Sequence, residues 1–225
     1  TTPLVVTDTL TLVNLTRMAT ELFAAVGDET RSVACRELHD RLVAAFRKHL
    51  MNAGHTEVVP LSQAGQAMAM YYGAFTDEEK PAALVGLKKA IERYDGHIQT
   101  GVLGARTLFR VLSDMGETEL AYRMITRPDY PSFANHVLTG ATTLYEIFRK
   151  PSEEFPYTSD MFACGSHNAR SLNHHFWGDV SGWFYEALGG IRINEALTKH
   201  TDVVIDPKFV SALNSVRATH VFKNI

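Results

Sequence analysis

The residues best equipped for chemistry lie between Gly140 and Ile191. One carboxylate, Glu146, ends the run Gly-Ala-Thr-Thr-Leu-Tyr-Glu, and Asn173, His174 and His175 open a stretch containing Phe176, Trp177, Trp183, Phe184 and Tyr185. A carboxylate delivered beside imidazoles and aromatic rings suits activation of a water molecule over a sugar: the carboxylate takes the proton, and rings cover apolar pyranose faces. Consecutive residues of a helix point about 100° apart, so one of His174 and His175 is expected to face the site while the other packs. The aromatic density also serves core packing.

Other chemistries find less support. Gly96 to Gly104, GHIQTGVLG, is dense in glycine but lacks phosphate-loop spacing and a Lys-Ser/Thr pair, so it reads either as a tight helix-to-helix connection or as a pocket lining. His167, His174, His175 and Asp179 form no HExxH pattern, and Cys35 and Cys164 fit no structural zinc spacing; neither a metal nor another cofactor is expected. No serine-centred elbow or Cys-His pairing points to acyl transfer. A formal charge of −3, with 22 scattered Lys and Arg residues, provides no basic field for nucleic acid. No apolar run reaches the roughly 20 residues of a membrane span. The chain therefore reads as soluble, with its compartment open. It begins with Thr1 rather than Met, and is read as a processed or excised piece.

The elements that must position these residues are helical. Leu10, Val13, Leu15, Met18, Leu22, Phe23 and Val26 recur at three- and four-residue steps, which predicts a helix over 8–26 stopped by Gly27. A second follows over 28–49. Ser62 caps a helix over 63–75, and Thr76-Asp77-Glu78-Glu79 is a capping box opening the next, which runs to about Tyr94. Further helices are expected over 105–115, 117–126, 132–138 and 173–188, closed by glycines at 116 and 189–190. The pairs share no fixed repeat, which argues against a solenoid. Two strands are expected after Thr201, at 203–205 and 215–222.

In combination, HIQTGVLGARTLFRVLSDMGETELAYRMI, DYPSFANHV and GATTLYE resemble the HLxTGxLG, YPSW and GATTxWE segments of bacterial α-L-rhamnosidases. The resemblance implies an all-α fold, part of a six-hairpin α/α barrel, over residues 1–200, and the start of a truncated C-terminal β-sandwich over 201–225. It also implies inverting hydrolysis of terminal α-L-rhamnose, with Glu146 as general base and His174 beside it, and with His97, Phe133, Tyr145 and Trp177 contacting the sugar. Phe133 and Tyr145 stand where that family usually has tryptophan. The general acid is expected outside this chain, so the chain alone should be nearly inactive. Two alternatives are an α/α-barrel enzyme of other sugar specificity and a noncatalytic carbohydrate-binding or assembly protein. The expected partners are a rhamnose-containing glycoside and either a second copy or the remainder of a parent enzyme.

Overall fold

A computed structural model describes residues 2–146, 148, 171–193 and 203–221. The expected loop over 147–170, with Cys164 and His167, lies almost wholly outside the described residues, as does Phe222. The chain divides into two compact units, one of residues 1–95 and 99–111, the other of residues 96–98 and 112–225.

The first unit is built from α1 (Leu4–Ala25), α2 (Glu29–Leu50), α3 (Gln63–Tyr71), α4 (Lys80–Glu92) and most of α5 (Val102–Asp114). Helices α1 and α2 form a hairpin whose turn places Gly27 at φ +78°, a conformation that disfavours a Cβ, before Asp28 caps α2 by accepting the Arg31 N–H. Ser62 caps α3 in the same way. The capping box is half realised: Glu79 Oε2 accepts the Thr76 N–H at 2.9 Å, and α4 begins at Lys80 with Pro81 in its first turn.

Val6, Leu10, Val13, Phe46, Met68, Leu87, Ile91 and Leu108 make up the core. Gln66 is buried among them because its amide is fully used: Oε1 accepts the Val58 N–H, and Nε2 donates to the carbonyls of Thr56 and Ala83. Arg47 forms a bidentate pair with Glu79 at 2.8 Å on both oxygens and also donates to the Ala74 carbonyl. That guanidinium holds the Glu79 carboxyl well below the usual range, at about 2. The periodic residues of α1 divide into two faces: Val6, Leu10 and Val13 are buried, whereas Leu12, Leu15, Met18 and Leu22 are exposed.

The second unit contains the end of α5, α6 (Thr118–Thr126) and α7 (Phe133–Leu138). It continues with a 3-10 turn at His175–Gly178, the short α8 (Asp179–Trp183), a π turn at Phe184–Leu188, and an antiparallel ribbon of β1 (Ile191–Ile193) and β2 (Val203–Ile205). Gly116, at φ +83°, reverses the chain between α5 and α6, and the Glu117 N–H bonds back to the Leu112 carbonyl. The helix expected over 173–188 thus starts at His175 and changes its winding twice. The π turn closes through the Gly189 N–H on the Phe184 carbonyl, five residues back. Trp183 anchors this segment, fully buried, with its indole N–H donated to Ser113 Oγ at 2.9 Å.

β structure begins at Ile191 rather than after Thr201, with Ile191 paired to Ile205 and Ile193 to Val203. The expected strand at 215–222 is not formed: its described part, 215–221, is irregular. Gly190 admits the turn into the ribbon, since a Cβ there would lie 2.2 Å from Pro207 N. No helix among the described residues is long and apolar enough to cross a membrane.

Candidate active site

Helix α7 delivers the chain to Glu146. Ser132 caps it by accepting the Asn135 N–H at 2.9 Å, and Asn135 Nδ2 ties it to the Pro128 carbonyl. Its other end is a Schellman arrangement: Gly140 at φ +94° donates to the Val137 carbonyl, and the Ala141 N–H reaches back to the His136 carbonyl at 3.1 Å. Gly140 therefore stops the helix and releases Ala141 to Glu146 as an irregular arm.

That arm is stitched to the segment entering the 3-10 turn. The His174 N–H donates to the Leu144 carbonyl at 2.7 Å, the Glu146 N–H donates to the Ser171 carbonyl at 2.8 Å, and Thr143 Oγ1 donates to the Leu172 carbonyl. The Glu146 carboxylate accepts the Ser171 N–H through Oε2 at 3.0 Å, and the Glu146 carbonyl accepts the Trp177 indole N–H at 2.9 Å. Backbone and side chain of Glu146 are thus both fixed by the segment that carries His174. His174 itself precedes the 3-10 turn, its ring 5.3 Å from that of Phe176 and 6.4 Å from that of His175. His175 stacks on Phe176 at 4.4 Å and is exposed.

The aromatic residues divide by burial. Phe133 and Trp177 are only 7% and 5% exposed and spend their faces on Phe148, at 5.2 and 4.7 Å, and on each other, at 5.7 Å. Both rings are largely enclosed, and the Trp177 N–H is committed to the Glu146 carbonyl. Tyr145 is half-buried. His97 donates or accepts through Nε2 at 2.9 Å from Asp129 Oδ2, and Arg127 grips both oxygens of the same carboxylate at 2.9 Å. That guanidinium, with the imidazole, keeps the Asp129 carboxyl well below its ordinary value.

Two supports went unread in the sequence. Tyr130 donates its hydroxyl to the Phe148 carbonyl at 2.9 Å. His136, on α7 and 2% exposed, accepts the Tyr145 N–H through Nε2 at 3.3 Å and packs edge-on against Tyr145 and Phe148, at 4.7 and 5.4 Å. Burial lowers its pKa, consistent with an imidazole that accepts at Nε2. The available signal was its position three residues after Phe133, on the same helix face.

Residues 1–188 match a family model described as the bacterial α-L-rhamnosidase six-hairpin glycosidase domain. Among curated proteins, an α-L-rhamnosidase of Streptomyces avermitilis is 31% identical over 205 residues, covering 90% of this chain and 18% of its own length. One from Formosa agariphila is 27% identical over 194 residues, covering 86% of this chain and 20% of its own length. The chain thus spans about a fifth of the relatives it matches. Among solved structures, Streptomyces avermitilis α-L-rhamnosidase complexed with L-rhamnose superposes with a TM-score of 0.77 at 25% identity, over 90% of this chain and 18% of that one. The α-L-rhamnosidase from Dictyoglumus thermophilum gives 0.66 at 28% identity, over 78% of this chain and 19% of that one.

Proposed function

The chain belongs to the bacterial α-L-rhamnosidase six-hairpin glycosidase family, and from that premise we propose that it carries the base side of an inverting hydrolysis of terminal α-L-rhamnosides. Glu146 is the general base. It deprotonates a water molecule whose oxygen attacks the anomeric carbon from the face opposite the leaving group. The glycosidic C–O bond breaks as the new bond forms, and the departing oxygen takes its proton from a carboxylic acid outside this chain, roughly 6.5–9.5 Å from Glu146. His174 orients the carboxylate or binds a sugar hydroxyl, and Tyr145 and His97 contact the sugar. Phe133 and Trp177 support the arm from within.

The observation that supports this reading is the backbone pairing of Leu144–Glu146 with Ser171–His174, which ties the segment carrying Glu146 to the one carrying His174. A base must be held to within a fraction of an ångström to be efficient, and the Ser171 N–H supplies that aim through a charge-assisted bond.

Residues 201–225 are proposed to begin a C-terminal β-sandwich, with β2 as its first strand. The exposed stripe of Leu12, Leu15, Met18 and Leu22 on α1 supports the further reading that this face is covered, by other hairpins of a larger enzyme or by a second copy. The test of the chemistry is proton NMR of an α-L-rhamnoside during hydrolysis by the protein carrying this sequence. The β anomer of rhamnose appears first if the reaction inverts, and α rhamnose appearing first refutes it.

A further inference from the structure

Glu146 reaches its place at the end of an arm that leaves α7 at Gly140, and its position depends on what holds that arm on both sides. On one side are the bonds to Ser171, His174 and Trp177. On the other, one polar side chain from α7 meets the arm's backbone. We propose that His136 is a positioning residue for the reaction: its imidazole accepts the Tyr145 N–H and so fixes the arm that presents Glu146.

Three observations carry this. His136 is almost fully buried, and its Nε2 takes a hydrogen bond there. Its Nε2 lies 3.3 Å from the Tyr145 nitrogen, adjacent in sequence to the base. Its ring also meets the rings of Tyr145 and Phe148 edge-on, the two aromatic residues that bracket Glu146, so the contact resists both sliding and lifting of the arm. The His136 carbonyl accepts the Ala141 N–H as well, so one residue holds the arm at its start through the backbone and at its working end through the side chain.

The proposal rests on Glu146 being the base, and its test separates the two. His136→Gln places an acceptor near the Nε2 position, whereas His136→Met and His136→Leu keep apolar bulk without an equivalent acceptor. In the whole enzyme, His136→Met and His136→Leu should lower kcat by roughly ten- to a hundredfold, the scale on which misplacement of a catalytic group acts, with KM within about twofold. His136→Gln should recover most of the loss. Amide hydrogen exchange at Tyr145 should quicken in the Met and Leu variants and stay slow in the Gln variant. Equal kcat in the Gln variant and whichever of the other two folds would overturn the proposal, as would a change confined to KM. If Glu146→Gln turns over like the parent, the base reading falls by itself. Exchange at Tyr145 then decides the positioning claim: slow exchange kept only with an acceptor upholds it, and equal exchange overturns it.

Discussion

Replacing Gly104 by alanine tests whether close approach of α3 and α5 governs this part of the first unit. A Cβ built on Gly104 would lie 1.9 Å from Thr100 Oγ1, 2.5 Å from Ala64 Cβ and 2.8 Å from Ala64 Cα. The threonine hydroxyl can rotate away, but Ala64 sits in the first turn of α3, directly after the Ser62 cap, and can yield only by moving backbone. Carbon atoms in contact want about 3.5–4.0 Å, so the two segments must part by roughly 1 Å. Helix propensity alone would make Gly104→Ala stabilising by about 1 kcal/mol. Overpacking costs about 1–3 kcal/mol, occasionally more, and the backbone contact puts this site at the upper end, for a net loss of about 1–2 kcal/mol. Gly101 is the internal control, since its Cβ would meet nothing within 4 Å and its φ is not positive. Gly101→Ala should be neutral or stabilising by up to about 1 kcal/mol. In urea unfolding the midpoint should fall for Gly104→Ala and hold or rise for Gly101→Ala, with unchanged slope. A Gly104→Ala protein as stable as its parent would refute the reasoning.

Acid should weaken the Arg47–Glu79 clamp. Glu79 has a folded pKa depressed from 4.5 to about 2, so its stabilisation is complete above the unfolded value and lost as pH falls from about 4.5 through 2. At about one-fifth exposure it is worth about 1–2 kcal/mol after screening, and Arg47→Met should flatten that part of a stability–pH curve measured by circular dichroism. Trp183→Phe leaves a gap and a buried Ser113 hydroxyl without its indole partner, costing about 2–3 kcal/mol in denaturant titration. Leu15→Glu with Leu22→Glu on the exposed α1 stripe should abolish self-association of the isolated chain in light scattering, and an unchanged mass for an associating parent would show that another surface is used.

Features governed by neighbouring residues were legible in the sequence. Ser62 caps the helix assigned to it, and Gly27 and Gly116 take positive φ at the helix stops assigned to them. Features set by distant residues were not. β1 is three residues long and its partner lies beyond Thr201, so no alternating pattern exposes it. The winding changes over 175–188 leave no periodic trace, since 3-10, α and π turns tolerate the same residues. Spacing identified α1 as amphipathic but did not show that its apolar residues serve two faces. At the candidate site, family motifs gave Glu146 and His174, while the pairing of 144–146 with 171–174 spans 25 or more residues and has no sequence signature. The packing of Phe133 and Trp177 on Phe148 has no sequence signature either, because it joins residues well apart in the chain.

The central claim is that Glu146 removes the proton from water. The measurement that tests it most directly is steady-state hydrolysis of an aryl α-L-rhamnoside by the whole enzyme and its Glu146→Gln variant, with rhamnose binding followed by calorimetry. Loss of general-base catalysis should lower kcat by about 10²–10⁴-fold while rhamnose affinity stays within a few-fold. Turnover equal to the parent enzyme would contradict the account.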